Sequence, residues 1–510
     1  MITDDNRRWW VAGTMGLPLI TLTIDVFGVT VALPSIGRDL NTGTVTLAWV
    51  INAFMLGFAS MLIVGGRLGD LLGRRKLLLA GVVLFVASSI LSGLAPSGSW
   101  LIAARGIQGV AGGFVYANSL SVVANAFPSE QRHLGISLWI GIGAVGSAVG
   151  PFVGGLLTEE LSWRWFFLLN VPIGAVAVIM TFLLVKESRD EEAPPKIDWF
   201  GCALSVAGLV LIVMGLQLAG NLGWSSLTVW ACLVVGLAVS AAFIVFETKT
   251  RFPLIDFQLF RNRNFGSSAS VGFVINFTLG ALMLYLALYL QHVLKLSPLS
   301  AGLVFLGYSG MMAVISTSNA YFMNRWGARR TMATGMLLNA ASFLVLAFAE
   351  PTTGLVIIVA ALVLGGAGQS FAYTTATSLA MASVSEQKSG AASGAVGMIR
   401  ISATTVGVAV STAVFKAIEN GELVSHIGKA GGRLTRAEAR DIHVLVAGSD
   451  QAAAKLAHDV PAAAGKMSDI VNQALMAGFG GAMFLCVAAS VVGLMVAFLA
   501  RSRPPAGEKS

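Results

Sequence analysis

The sequence predicts an all-α integral membrane protein with fourteen transmembrane helices, and its composition and recurring apolar stretches support that prediction. Of the 510 residues, 56% are hydrophobic and only 11% are charged, whereas about a quarter of the residues in a soluble domain are charged. Apolar stretches close to the ~20 residues that cross a bilayer recur along the whole chain. The predicted spans are 11–34, 47–66, 77–95, 100–124, 133–157, 164–185, 199–218, 226–246, 265–291, 298–321, 331–349, 354–380, 389–415 and 474–500.

Lysine and arginine residues predict which loops face the cytoplasm. They concentrate in alternate loops (67–76, 186–196, 247–264 and 324–330), whereas the short loops between these carry almost none. By the positive-inside rule the basic loops are cytoplasmic, and an even number of spans then places both termini on that side. The long loop 416–473 falls on the extracytoplasmic side despite its basic residues, because long loops follow the rule poorly. The net charge of +8 reflects this distribution and does not indicate nucleic-acid binding.

A weak internal repeat relates the two ends of the chain. The segment "DLLGRRK", which begins at Asp70, resembles "NRWGARR" 254 residues later, and "SEQR" at 129–132 resembles "SEQK" 256 residues later. At the second spacing Gly109 falls on Gly365. Two six-helix halves with two inserted helices would produce this spacing, and parallel repeats are typical of transporters whose substrate site lies between the halves. The predicted units are an N-terminal six-helix bundle (1–198), two inserted helices with a cytoplasmic loop (199–263) and a C-terminal six-helix bundle (264–510).

Asp25 is the only acid that the sequence places deep inside a predicted span, since Asp198, Glu247 and Glu350 fall at helix ends. A carboxylate inside a membrane is costly and is therefore a candidate functional group. Its expected chemistry is reversible protonation, because burial favours the neutral form and a nearby cation favours the charged form. A substrate that competes with the proton for this group would couple two fluxes.

Arg105 is a second charge inside a span. Small and polar residues share its face of the helix: Gln108, Gly109, Gly112 and Tyr116. Spans 1 and 4 run in opposite directions, so a contact between Asp25 and Arg105 is possible, either direct or through water. An ion pair with a purely structural role is the alternative. Arg400 in span 13 is a third buried charge, to which the sequence assigns no role.

The segment "GGRLGDLLGRRK" (65–76) predicts a tight cytoplasmic turn. A plain turn would need the basic residues, but not glycines and an acid at this spacing. Asp70 is placed to face a helix N-terminus, where the helix dipole favours an anion. The candidate residues of this turn, to which the resemblance described below implies the role of a conformational lock, are Gly66, Asp70, Gly73, Arg74 and Arg75.

Span 5 combines glycines with a proline in an apolar helix. Glycine costs a helix roughly 1 kcal/mol relative to alanine, and an interior proline about 3. In lipid, close van der Waals packing holds helices together, so a glycine face admits another helix. The proline permits a bend. Packing alone is the alternative to a functional role for these residues: Gly146, Gly150, Pro151, Gly154 and Gly155.

Aromatic and amide side chains are candidates for the substrate cavity, because aromatic faces stack on ligands or hold cations. Roles in the core or at the membrane interface are equally common for such residues. The candidates are Trp49, Asn52, Gln108, Tyr116, Tyr285, Tyr289 and Gln291.

Together these stretches resemble the major facilitator superfamily, and specifically its fourteen-helix drug:proton antiporter family, over nearly the whole chain. "GGRLGDLLGRRK" is similar to the superfamily's loop 2–3 signature, and "LIAARGIQGVAGG" to its span 4 motif with Arg105 at the arginine. "GSAVGPFVGG" (146–155) is similar to the antiporter motif of span 5. "IDVFGVTVALP" resembles the span 1 motif, with Phe27 and Thr30 standing where the family usually has threonine and asparagine.

The resemblance implies two six-helix bundles, spans 1–6 and 9–14, that rock about a central cavity. It implies that Asp25 and Arg105 take part in proton coupling, and that Asp70 closes a lock against the start of span 13 near 389–391. The span 5 motif would seal the interface between the bundles. It further implies a multi-pass protein of the bacterial cytoplasmic (inner) membrane.

The predicted function is proton-coupled multidrug efflux of lipophilic, cationic or neutral small molecules by alternating access. No cofactor is expected, since the proton gradient supplies the energy, and a periplasmic adaptor is a possible partner. The alternatives are a dedicated exporter of one endogenous metabolite or self-made antibiotic, and a sensor of the same fold without transport. An enzyme is disfavoured, because the five histidines pair with no acid at a catalytic spacing and no nucleotide-binding P-loop is present.

Overall fold

Fourteen helices in the described part of the computed structural model are long and apolar enough to cross a membrane. The structure describes residues 4–128, 131–189, 198–250, 255, 257–384, 389–429 and 467–500. The helices are α1 (Asp4–Asp39), α2 (Thr44–Leu72), α3 (Arg74–Gly93), α4 (Gly98–Ala126), α5 (Arg132–Glu160), α6 (Trp163–Leu168), α7 (Asn170–Leu184), α8 (Trp199–Leu222), α9 (Leu227–Glu247), α10 (Arg263–Leu288), α11 (Pro298–Trp326), α12 (Ala328–Ala347), α13 (Leu355–Ala382), α14 (Ser389–Lys429) and α15 (Met467–Ala497). The predicted all-α fold with fourteen spans is confirmed.

Three spans depart from the regular helices that the sequence predicts. Span 6 is divided at Leu169 into α6 and α7. Span 9 ends in a π-turn at Tyr289–Val293, and a short 3₁₀ helix, Phe257–Arg261, lies before the start of this span. Span 13 was predicted to end at residue 415, but α14 continues to Lys429. The first part of the predicted extracytoplasmic loop is therefore helical, and its residues 430–466 lie outside the described residues.

The helices pack as two bundles of six spans with the same internal arrangement. In the N-terminal bundle α1 packs on α5, and α4 packs on both α2 and α3; in the C-terminal bundle α10 packs on α14, and α13 packs on both α11 and α12. Because lipid provides little hydrophobic force between helices, these pairs depend on close approach.

Glycines at equivalent helix crossings define the repeat by geometry. A methyl group at Gly109 would meet the backbone of Phe54, and one at Gly366 would meet that of Tyr308. A methyl group at Gly81 would meet Val115, and one at Gly335 would meet Ala372. Helices α2 and α3 are thus repeated 254 residues later, as the sequence predicts, whereas α4 is repeated 257 residues later. The predicted match of Gly109 with Gly365 is wrong by one residue.

The two inserted helices pack on the junction between the bundles. Helix α8 contacts α2 of the N-terminal bundle and α14 of the C-terminal bundle, while α9 packs on α8. A small apolar cluster joins the three elements through Leu56, Val213 and Ala409. The Cys202 thiol donates to the carbonyl of Ser60 at 3.5 Å. The insertion therefore lies beside both halves without interrupting either bundle.

Candidate functional site

The Asp25 carboxylate lies at the centre of a buried polar network in the N-terminal bundle. Its side chain is fully buried and forms an ion pair with the Arg105 guanidinium. The side-chain amide of Gln108 donates to Oδ1 at 2.9 Å, and that of Asn170 donates to the same oxygen at 3.3 Å. Three donors thus contact the carboxylate where water is excluded.

Arg105 is held in place by groups from three helices. Besides Asp25 on α1, its Nη1 donates to Gln108 Oε1 at 2.8 Å and its Nε donates to the Val50 carbonyl at 3.3 Å. The guanidinium lies over the Phe54 ring, 4.3 Å from the ring centroid. A buried charge is costly unless it is paired and hydrogen-bonded, and Nε and Nη1 of Arg105 have such partners. The structure therefore brings Asp25 and Arg105 into direct contact.

Ser89 on α3 and Asn170 on α7 complete the network, and the sequence did not identify either of them. The Ser89 hydroxyl accepts from Gln108 at 2.7 Å and from Asn170 at 2.8 Å. Asn170 is the first residue of α7, immediately after the interruption of span 6 at Leu169. The one available signal was an amide within the apolar segment "WRWFFLLNVPIG".

The glycines of α5 form two contact surfaces. Gly146, Gly150 and Gly154 face α1, where a methyl group at Gly150 would lie 3.1 Å from the Ile24 carbonyl oxygen. Gly28 on α1 is the partner of Gly154: a methyl group at Gly154 would lie 2.9 Å from the Gly28 carbonyl carbon. These three glycines therefore allow α1, which carries Asp25, to approach α5 within the same bundle.

The second surface of α5 contacts the opposite bundle. A methyl group at Gly155 would lie 3.0 Å from the Leu299 Cα atom, and one at Gly302 on α11 would lie 3.0 Å from the Pro151 carbonyl carbon. Glu159 Oε2 accepts from the backbone N–H of Leu299 at 2.8 Å, at the beginning of α11. This α5–α11 seam closes the end of the molecule that is predicted to be extracytoplasmic.

The predicted cytoplasmic turn contains two separate charge contacts. Asp70 accepts from the Arg74 guanidinium, whose Nη2 lies at 2.7 Å. The carboxylate at the N-terminus of α3 belongs to Glu187 instead, which accepts from the backbone N–H groups of Arg75 and Lys76 at 3.1 and 3.3 Å. Gly73 adopts a positive φ of 117° between α2 and α3, and Gly327 adopts 80° at the equivalent turn.

The remaining residues of the predicted lock add little to these contacts. A methyl group at Gly66 would be in ordinary contact with Ala117 of α4. The side chains of residues 389–391 lie outside the described residues, so the contact of Asp70 with the start of α14 stays a prediction.

The seven predicted cavity residues have several different surroundings in the structure. Gln108 belongs to the Asp25 network; Tyr116 packs between the rings of Phe58 and Trp139. Trp49 and Asn52 lie on α2, where Trp49 packs against the cluster beside α8 and Asn52 is fully buried. Their role as substrate contacts stays a prediction.

The other three candidates lie at the predicted extracytoplasmic end of α10. Tyr285 and Tyr289 are buried inside the C-terminal bundle, where they stack on Phe415 and Phe479 at 4.6 and 4.7 Å between centroids. Gln291 donates to the Val31 carbonyl at 2.7 Å and so joins the two bundles.

A small apolar cleft lies between the bundles, near the middle of the α5–α11 seam. Its position agrees with a site between the two halves, where transporters of repeated architecture bind substrate. It is lined by Phe27, Thr30, Pro151, Leu279, Leu282, Met283, Phe305, Tyr308 and Ser309.

A second buried ion pair corrects one prediction. The sequence placed no acid deep in the C-terminal half, but Glu419 is fully buried in α14 and accepts from Lys416 at 2.6 Å. The error came from ending span 13 at residue 415, which left both charges in the predicted loop. A buried ion pair is weak evidence for stability, and these side chains have further contacts.

Comparisons with known proteins agree with the geometry. The family profile described as Major Facilitator Superfamily matches residues 18–408. The chain is 32% identical to the multidrug efflux pump LfrA of Mycolicibacterium smegmatis over 496 residues, which is 96% of each chain. It is 32% identical to the multidrug resistance protein Stp of Mycobacterium tuberculosis over 81% of this chain and 77% of that one. It is 27% identical to the tetracenomycin C resistance and export protein of Streptomyces glaucescens over 98% and 93%.

Solved structures show the fold. A bacterial homologue of the human lysosomal transporter Spinster, in an inward-facing and occupied conformation, superposes with a TM-score of 0.69 at 16% identity and 97% coverage of both chains. An auto-inhibited peptide transporter of the POT family superposes with a TM-score of 0.62 at 15% identity, over 89% of this chain and 96% of that one.

Proposed function

The chain belongs to the Major Facilitator Superfamily, and we propose that it is a proton-coupled antiporter that exports drug-like small molecules by alternating access. It is a multi-pass membrane transporter and not an enzyme. Relatives named as multidrug efflux pumps and resistance proteins over most of the chain support the direction of transport.

The observation that carries the proton coupling is the buried Asp25 network. A carboxylate buried alone is costly, and partners that carry positive charge or donate hydrogen bonds offset that cost. Asp25 has those donors in the described conformation. Any movement of α4 that withdraws Arg105 would favour protonation, so a change in bundle geometry becomes a change in proton affinity.

The connection between this carboxylate and the opposite bundle is short. Asp25 and Gly28 lie three residues apart on one face of α1. Gly28 contacts the glycine surface of α5 at Gly150 and Gly154, and the other surface of α5 contacts α11 at Gly155. Protonation of Asp25 would therefore act on a helix that is packed directly against the seam between the bundles.

A dedicated exporter of one metabolite or antibiotic is the second candidate. The relative named as a tetracenomycin C resistance and export protein matches nearly the whole of this chain, and the same coupling network would serve a narrow substrate range. Breadth of substrate separates the two functions.

We place the protein in the bacterial cytoplasmic membrane with both termini in the cytoplasm. The basic loops predicted by the positive-inside rule support this orientation. An even number of candidate spans in the described residues separates the start of α1 and the end of α15 from the turn that carries Arg74 and Arg75, which supports one side for all three. Fusions of a cytoplasm-active reporter after residue 510 test the orientation directly.

Gradient-driven efflux from proteoliposomes tests the proposed function. Vesicles are loaded with ethidium, as a lipophilic cation, or with uncharged drugs, and a proton gradient is imposed. We expect wild type to move several compounds and to dissipate the gradient, and Asp25→Asn to do neither. The matched control is Glu350→Gln, which neutralises an exposed carboxylate at a helix end and should retain wild-type efflux.

Each adverse result has a distinct meaning. Gradient-driven transport that persists in Asp25→Asn contradicts the assignment of Asp25 as the proton carrier. Movement of a single class of compound, or of none in the panel, favours the dedicated exporter.

A further inference from the structure

The apolar cleft between the bundles is lined by one face of each of four helices. Phe27 and Thr30, three positions apart, line it from α1. Leu279 and Met283, four positions apart, line it from α10, while α11 contributes residues with the same spacings and α5 contributes Pro151. Residues three or four apart lie on one side of a helix. The cleft is therefore a surface built by two helices of each bundle.

Aromatic and flexible apolar side chains form much of the wall of this cleft. Phe27 comes from the N-terminal bundle and Phe305 from the C-terminal bundle, and Met283 adds a thioether that can adapt to ligands of different shape. Phe27 is only partly buried, so part of its ring is free to cover a ligand. Such walls gain free energy by covering apolar surface, and their rings add stacking.

The polar groups of the lining are neutral hydroxyls. Thr30 Oγ1 donates to a carbonyl of its own helix at 2.7 Å. Ser309 Oγ lies at 3.1 and 3.2 Å from two main-chain carbonyl oxygens, to which its proton can be donated. The third hydroxyl belongs to Tyr308, whose oxygen has no hydrogen-bond partner in the described structure. The wall therefore suits a ligand without charge.

Asp25 lies on a different face of α1 from the cleft. Two residues along a helix correspond to a rotation of about 200°, so the side chains of Asp25 and Phe27 point in nearly opposite directions. Phe27 lines the cleft, whereas Asp25 is fully buried against Arg105 in the N-terminal bundle. A substrate in the cleft and a proton on Asp25 would thus occupy opposite sides of one helix.

The cleft lies among contacts that must change when the bundles move. Ser309 of α11 donates across the seam to the Ala148 carbonyl of α5 at 3.1 Å. A methyl group at Gly302 would lie 3.0 Å from the Pro151 carbonyl carbon. Ser309 and Pro151 both line the cleft. Separation of α5 from α11 would therefore widen the cleft and admit a ligand larger than this conformation can hold.

We propose that this cleft is the recognition site for uncharged aromatic compounds, and that their binding is coupled to Asp25 through movement of α1 instead of competition for the carboxylate. The inference rests on the proposed export function and names a substrate class for it. Phe27 and Phe305 contact the ring system from opposite bundles, and Met283 adapts to its outline. A cation would lose its hydration against these apolar walls.

Equilibrium binding to the purified full-length protein tests this site without requiring transport. The probes are 9-anthracenemethanol and 9-anthracenemethylamine, which share one ring system; the amine is a cation at neutral pH. Binding is measured by fluorescence in phosphatidylcholine nanodiscs, and empty nanodiscs correct for partition of each probe into lipid. Wild type should bind the alcohol about tenfold more tightly than the ammonium, because burial of a charge against apolar walls is costly.

Two phenylalanine variants test the wall of the cleft. Phe27→Ala should weaken binding of the alcohol about tenfold, since it removes a stacking ring together with its apolar surface. Phe348→Ala is the matched control, because this exposed ring at the end of α12 packs on Phe484 of α15, and it should behave as wild type. The thermal midpoint of each variant reports whether it is folded.

Asp25→Asn tests the separation of substrate from proton carrier. Its preference for the alcohol over the ammonium should stay within about twofold of the wild-type value, because a shift between conformations changes both affinities alike. A ligand that competed with the proton would contact the carboxylate directly, and its removal would change the preference.

The contrary outcomes are distinct. Equal affinity of wild type for the alcohol and the ammonium overturns the site, as does wild-type binding of the alcohol by Phe27→Ala. A large change of preference in a folded Asp25→Asn protein overturns the coupling through α1. If wild type exports drugs but binds the two probes alike, the export function stands and this site fails. If the alcohol binds selectively but no compound is transported, the export function fails.

Discussion

At the scale of single residues, Gln108 is the group on which the arrangement of the coupling network depends. Its carbonyl oxygen accepts from Arg105 while its amide donates to Asp25 and Ser89. One neutral side chain thus contacts both members of the ion pair and fixes their relative orientation. A serine or a second charge at this position could not fill both roles.

Gln108→Leu tests this role against a matched glutamine. The change should lower the free energy of unfolding by about 1–3 kcal/mol, because it leaves buried polar partners unsatisfied, and it should reduce gradient-driven efflux. Gln217 on α8 is equally buried, and its side chain has no hydrogen-bond partner in the described structure. Gln217→Leu should therefore leave stability unchanged or raise it, as measured by thermal unfolding in detergent.

A similar loss of stability in both leucine variants would contradict the assignment. It would mean that the loss of stability comes from replacing any buried glutamine, and not from the loss of the network. Normal efflux in a folded Gln108→Leu protein would show that Asp25 and Arg105 need no third residue.

The sequence was sufficient to predict the charged members of the network and to place Gln108 beside Arg105, but not to predict Ser89 and Asn170. Asp25 and Arg105 are expensive in a membrane, so their presence alone indicates a role. Ser89 and Asn170 carry no such signal, because serine and asparagine in helices commonly bond to their own backbone. Their function depends on α3 and α7 lying beside α1, which is a property of packing.

At the scale of elements, α5 has two contact surfaces, and the residues of both lie within one glycine-rich motif. Three glycines admit α1 of the same bundle, while Gly155 and Pro151 meet α11 of the other bundle. The sequence predicted close packing on one face, because spacings of four residues lie on one side of a helix. It could not predict the second partner, which belongs to the other half of the chain.

Gly155→Ala should disturb the α5–α11 seam. Its methyl group would lie 3.0 Å from the Leu299 Cα and Pro298 carbonyl carbon atoms, and backbone atoms cannot move aside as a side chain can. We expect a loss of about 1–3 kcal/mol from overpacking, together with a fall in efflux. Gly141 on the same helix has no atom within 4 Å of the equivalent position.

Gly141→Ala is therefore the control, and it should gain up to about 1 kcal/mol from helix propensity. The thermal midpoints and efflux rates of the two variants decide the point. A Gly155→Ala protein with wild-type efflux would mean that the seam is not a determinant of transport.

Helix ends were the weakest sequence-based prediction. Lys416 and Glu419 were predicted to be loop residues because charged residues usually mark the end of a span. In the structure α14 continues past them and buries both. A charged pair three residues apart on a helix can neutralise itself, so a charge in an apolar sequence need not end the helix.

At the scale of the whole molecule, the scaffold is repeated but the charges are not. A methyl group at Gly28 would meet the Gly150 carbonyl, and one at Gly280 would meet the Thr404 carbonyl. Gly28 and Gly280 are therefore equivalent in the repeat, and so are Asp25 and Phe277, which lie three residues before them. By the spacing of α4 and α13, Arg105 corresponds to Leu362. Both counterparts are buried and apolar, so the coupling network belongs to the N-terminal bundle alone.

The two bundles must therefore communicate through their contacts, and the seam contains one polar contact at its exposed end. Glu159 of α5 accepts from the backbone N–H of Leu299 at 2.8 Å. Leu299 lies in the first turn of α11, where the helix dipole favours a negative charge. This contact stabilises the closed seam relative to any state in which α5 and α11 separate.

Glu159→Gln should shift that equilibrium toward the open seam. An exposed carboxylate at a helix N-terminus contributes about 0.3–1 kcal/mol, which corresponds to a two- to fivefold change in population.

Ser309, buried at 4% exposure in the seam, is replaced by cysteine in a background where Cys202, Cys232 and Cys486 are serine. A membrane-impermeant thiol reagent, applied from the side where α5 ends, should then label Glu159→Gln two- to fivefold faster than the parent. Glu160→Gln removes the neighbouring exposed carboxylate, which makes no contact across the seam within the described residues, and should label at the parent rate. Equal labelling of all three proteins would show that the seam opens independently of this contact.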